Sequence, residues 1–83
     1  MVVPEWGKPV GFEDLVIDSQ GGRLYASSAH MDTVLIFDFN GTRIGALTPK
    51  PSDVLKGPSG VALSARKLYV LNMYRNRVSV IDL

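Results

Sequence analysis

Ser28, His30 and Asp32 fall within one short stretch of the chain and include its single histidine. Serine, histidine and aspartate are the side chains of nucleophilic acyl transfer, in which an imidazole takes the hydroxyl proton and a carboxylate orients the ring. A triad needs partners that converge on substrate from different elements, and these three are local neighbours. A polar turn accounts for them, so no catalytic residue is assigned. Glu13, Asp14, His30, Asp32 and Asn72 are oxygen or nitrogen donors near strand ends. Hard cations take such oxygen ligands, and Glu13 and Asp14 are the metal candidates. Turn formation and solvation explain the same carboxylates. Lys56, Tyr74, Arg75 and Arg77 combine cationic side chains with an aromatic, the pairing that contacts phosphates and stacks bases. Glu13, Asp14 and Asp32 set acidic charge beside them, so the surface is mixed in sign and nucleic acid is not the expected partner. His30, Asp32, Lys56, Tyr74, Arg75 and Arg77 are the ligand-binding candidates. The ligand is unassigned between a small molecule and a peptide.

Short apolar runs position these residues. Val, Ile, Leu, Phe and Tyr dominate segments bounded by Gly, Asn, Asp, Ser and Pro, the composition of strands. The expected strands are 14–18, 23–29, 32–39 and 42–47, then 60–64, 67–73 and 77–83. Asn40-Gly41 reads as a two-residue type I′ hairpin turn, which needs positive φ at both central positions. Gln20-Gly21-Gly22 gives another reversal, and prolines 49, 51 and 58 punctuate a long connection. Val34–Phe37 is continuously apolar, so that strand is expected to be covered on both faces. No segment carries helical spacing. Asp18, Asp38 and Asp82 end strands, where their carboxylates serve turns.

The strands repeat. Leu24-Tyr25 recurs as Leu68-Tyr69, and residues 32–39 lie over 76–83 at the same offset of 44. Residues 15–18 lie over 61–64 at an offset of 46, and Gly11 over Gly57. The difference falls in a turn, where Ser19-Gln20-Gly21-Gly22 shortens to Ala65-Arg66. Tyr25 and Tyr69 are thus repeated core positions. Four short antiparallel strands repeating every 40–45 residues or so form the pattern of a β-propeller blade.

Composition excludes several functions. Of the 83 residues 46% are hydrophobic and 20% charged, and the formal net charge is +1. That is a globular composition, with no overall field drawing in nucleic acid or anionic membrane. There is no cysteine, which removes disulfides, thiolate metal sites and cysteine nucleophiles. The apolar runs are too short for a membrane-spanning helix. The N-terminus lacks the basic start and apolar core of a secretory leader, and the compartment is not indicated.

Gly57-Pro58-Ser59-Gly60-Val61-Ala62, Lys67-Leu68-Tyr69-Val70 and Asn76-Arg77-Val78-Ser79-Val80-Ile81-Asp82 resemble an NHL-type propeller blade. Leu68–Asp82 is also similar to the related YVTN-type blade. The first copy keeps Gly22-Arg23-Leu24-Tyr25-Ala26 but has Met31-Asp32-Thr33 where NHL blades commonly have Asn-Asn-Arg. The resemblance implies an all-β fold with two blades per chain, in a six-bladed ring completed by oligomerisation. Such propellers host many functions, so it names no activity. The function expected is a non-enzymatic binding module with its ligand on the rim or in the channel mouth. The alternatives are a metal-dependent hydrolase or lyase of the six-bladed type, or a fragment of a longer propeller with no independent function. No cofactor is assigned, a divalent cation in the channel being the one a ring of carboxylates would accommodate.

Two blades leave apolar faces wet unless neighbours cover them. The expected arrangement is a homotrimer, with a homotetramer as the other closed form. Residues 1–10 are read as a fourth strand donated to the neighbouring chain, 11–55 as the first blade, and 56–83 as a second blade lacking its fourth strand. Val2, Val3, Trp6, Val78 and Val80 are the assembly residues. The single Trp6 packs the donated strand.

Overall fold

The computed structural model describes residues 11–47 and 55–83. The fourth strand read into residues 1–10, with Val2, Val3 and Trp6, lies outside them, as does most of the proline-punctuated connection.

The described chain is all-β. Seven strands run β1 (Asp14–Asp18), β2 (Arg23–Ser28), β3 (Thr33–Asp38), β4 (Arg43–Leu47), β5 (Pro58–Ser64), β6 (Lys67–Asn72) and β7 (Arg77–Asp82). They form a four-stranded sheet in the order β1-β2-β3-β4 and a three-stranded sheet in the order β5-β6-β7, with every pair antiparallel. Observed ends lie within two residues of those expected. β5 starts early, at Pro58, where a proline costs no ladder bond because it opens the strand.

The two sheets pack face to face. Cross-strand register puts Val16, Tyr25 and Ile36 side by side on one face of the first sheet. These residues, with Val34, pack against Leu68, Val70, Val61, Leu63 and Ile81 of the second. Leu55 closes this core just before β5. A second cluster, Ala26, Leu35 and Phe37, occupies the other face of the first sheet under Phe12 and Leu24. The Phe12 and Phe37 rings meet edge to face, with centroids 6.0 Å apart. β3 is therefore covered on both faces, as its continuous apolar run requires.

The hairpin after β3 differs from expectation. Gly41 has a φ of 85°, but Asn40 has no positive φ, so the turn is not type I′. The Gly41 N–H donates to the Asp38 carbonyl, and Asp38 and Thr42 close the hairpin, giving a three-residue loop with glycine in the left-handed position. The Asp38 carboxylate organises the loop by accepting from the Asn40 and Thr42 N–H groups, both at 2.9 Å. That local acceptor replaces the second left-handed residue as the device that reverses the chain.

The true two-residue reversal is Ala65-Arg66, with φ values of 51° and 60°. Neither residue is glycine or asparagine, so both carry the steric cost of left-handed backbone. Ala65→Asn keeps the turn with a side chain that tolerates this region. The substitution is expected to raise unfolding stability by about 0.5–1 kcal/mol, read as a higher urea midpoint at unchanged slope.

Candidate functional site

Antiparallel topology gathers the turns β2–β3 and β6–β7, together with the segments entering β1 and β5, at one end of the two sheets. The candidates Glu13, His30, Asp32, Lys56, Tyr74, Arg75 and Arg77 all lie at this rim and are exposed. The two turns share a left-handed residue at the same place. Asp32 and Asn76, at the repeat offset, each have a φ of 52°. This places His30 and Tyr74 at equivalent tips.

Asp32 holds the sheets together. Its Oδ1 accepts from the Gly57 N–H at 2.8 Å, and its Oδ2 lies 3.8 Å from Lys56 Nζ. Gly57 has a φ of 62°, and a Cβ there would lie 2.5 Å from the Tyr74 ring. Glycine is needed at 57 for both reasons. The ring rests over the bare backbone, and the Met73 N–H donates to the Gly57 carbonyl. Lys56, Asp32, Gly57 and Tyr74 are thus brought into one patch.

Asn72 is buried. Its Oδ1 accepts from the Lys56 N–H at 3.1 Å, and its Nδ2 donates to Ser79 Oγ at 2.7 Å. Both ends of the amide are occupied, so its place is inside the second sheet and not at a ligand. Asp14 is also committed. Oδ1 accepts from the Leu15 N–H, and Oδ2 accepts from the Val61 N–H of β5 at 3.1 Å. Among the described residues, no three His, Asp or Glu side chains are grouped as a metal site.

Two further residues stitch the same joint and carried no sequence signal of doing so. Ser27 Oγ, fully buried, donates to the Ser59 carbonyl at 3.2 Å. At the opposite end, Arg66 Nη1 donates to Asp18 Oδ1 at 2.7 Å. Asp18 also serves its turn, accepting from the Gly21 N–H at 3.0 Å. The Arg66 hydrogen bond lowers the Asp18 pKa most, with the Gly21 N–H adding to it, while burial works against them. Asp18 Oδ2 is buried with no hydrogen-bond partner. Asp82 ends β7. It takes Lys67 Nζ at 2.6 Å on the surface, and this bond raises the lysine pKa.

Tyr25 and Tyr69 diverge. Tyr25 is buried between the sheets, whereas Tyr69 is only half-buried. Val78 and Val80 are exposed at 49% and 50%.

The rim therefore consists of a charged clamp flanked by exposed apolar tips. Met31, Met73 and Tyr74 are open to solvent, Tyr74 at 73%. Such an arrangement presents apolar contact area beside paired charges. It offers no nucleophile with an adjacent base among the described residues. No family model, curated protein or solved structure matches the chain.

Proposed function

We propose that the chain is a two-blade propeller unit of the NHL-like kind, completed to six blades by two further copies, and that its rim is a non-enzymatic peptide-binding surface. The observation that carries the reading is the pair of equivalent turns at one end of two stacked sheets. They expose Met31, Met73 and Tyr74 at the same rim as Lys56 and Arg75. Exposed methionines and aromatics adapt to irregular apolar side chains, and three of them stand open at this charged rim. The mixed charge suits a peptide backbone with flanking acidic and basic side chains better than a polyphosphate chain, which would require a surface of one sign. In the hydrolase or lyase reading, Asp14 would keep its two backbone N–H bonds while holding a cation.

The test is selection from a random-peptide phage library on the immobilised protein. Enriched peptides should lose at least tenfold in affinity for a Tyr74→Ala/Lys56→Ala/Arg75→Ala variant. Enrichment that survives the triple substitution, or none above background, would contradict the reading.

A further inference from the structure

The joint between the two sheets is directional. The face of the first sheet bearing Val16, Tyr25, Val34 and Ile36 meets the face of the second bearing Val61, Leu68 and Ile81. The repeat offsets convert each face into its counterpart on the other sheet. Tyr25, Val34 and Ile36 become Tyr69, Val78 and Val80, which lie side by side on the far face of the second sheet. That far face is open: Leu71, Val78 and Val80 are each about half exposed. Conversely, Val61, Leu63 and Leu68 become Leu15, Ile17 and Leu24 on the far face of the first sheet. Leu15 and Ile17 are exposed at 53% and 60%. The chain thus carries one complete joint and two unlike outer faces of the kind that made it, the first-sheet face open along β1 at Leu15 and Ile17 and with Phe12 packed on Ala26, Leu35 and Phe37.

We infer that the Tyr69–Val78–Val80 face of one copy docks on the Leu15–Ile17 face of the next, repeating the internal joint between molecules. This rests on the two-blade reading above. Unlike faces make the contact heterologous, so it propagates until a ring closes. The clasp at the rim repeats with it. Asn76, in the same left-handed conformation as Asp32, keeps an acceptor oxygen at the equivalent position. Its side chain has no partner among the described residues. At the offset of 46 Gly11 falls at the position of Gly57, without its left-handed φ. Asn76 Oδ1 therefore accepts from the Gly11 N–H of the neighbouring copy, as Asp32 Oδ1 accepts from Gly57.

Face-blocked variants test this. Val78→Lys/Val80→Lys closes one face and Leu15→Lys/Ile17→Lys the other. Each should sediment as a single folded chain by circular dichroism and ultracentrifugation. Mixed together, they retain one intact pair of faces and should form a one-to-one heterodimer that grows no further. A homodimer of either blocked variant would show a face pairing with itself and overturn the proposal, as would a mixture that stays monomeric. Asn76→Gly keeps the backbone and loses the acceptor, so assembly of the otherwise unmodified chain should weaken about 5–10-fold. An unchanged assembly constant would remove the clasp. Loss of peptide binding at the rim leaves these outcomes untouched, so the two readings fail separately.

Discussion

Leu68→Ala should come close to unfolding the isolated chain. Leu68 is fully buried at the centre of the intersheet core, in one cluster with Tyr25, Val34, Leu55 and Val70. Truncating a leucine in such a site costs about 2–5 kcal/mol, the transfer term plus a cavity. A domain of this size has a total stability at the low end of about 5–15 kcal/mol. Each 1 kcal/mol moves the thermal midpoint of so small a domain by about 4–8 °C, so a loss of at least 10 °C is expected by calorimetry. Ile44→Ser, at a residue half exposed on β4, should stay within about 0.5 kcal/mol of the parent. Similar losses at both sites would mean that the two sheets do not share this core.

The second large effect belongs to Arg66→Ala, and it depends on pH. Asp18 is buried, and its pKa in the folded chain lies below the ordinary carboxylate value because Arg66 and the Gly21 N–H stabilise the anion. A group with a lowered folded pKa favours folding above its unfolded pKa of about 4. That contribution fades as pH falls through the lower, folded value. Removing Arg66 leaves a buried carboxylate whose other oxygen already has no partner. Arg66→Ala should therefore lower the thermal midpoint at pH 7 and narrow or reverse the parent's loss of stability between pH 5 and 3. Asp18→Asn combined with Arg66→Ala should recover part of the loss at pH 7. A parent and variant with parallel pH curves would show that the Asp18–Arg66 bridge does not hold the lower end of the joint.

The strands were legible because each is a local pattern. An apolar run such as Val34–Phe37 announces a covered strand, and the offset of 44 between Leu24-Tyr25 and Leu68-Tyr69 announces two equivalent sheets. Local signals misread the hairpin at Asn40-Gly41, because the Asp38 carboxylate stabilises a different turn from the one the dipeptide favours alone. The roles of Asp14 and Asp32 were out of reach for a stronger reason. Asp14 accepts from Val61, 47 residues away, and only the docking of one sheet on the other brings that N–H within reach. A carboxylate at a strand end looks the same in sequence whether it faces a cation, solvent or another strand's backbone. Tyr69 was read as core by analogy with Tyr25. Its partial exposure follows from the sheet that covers Tyr25 having no counterpart over Tyr69 within the described chain.

On the two-blade reading, unlike faces of the two sheets stack in one direction until a ring closes. Native mass spectrometry of the unmodified chain at micromolar concentration decides it. The expected result is a dominant species at three times the 9.1 kDa chain mass, with no ladder of open intermediates at higher concentration. A folded single chain that stays at 9.1 kDa across that range, or a dimer that does not grow, would contradict it.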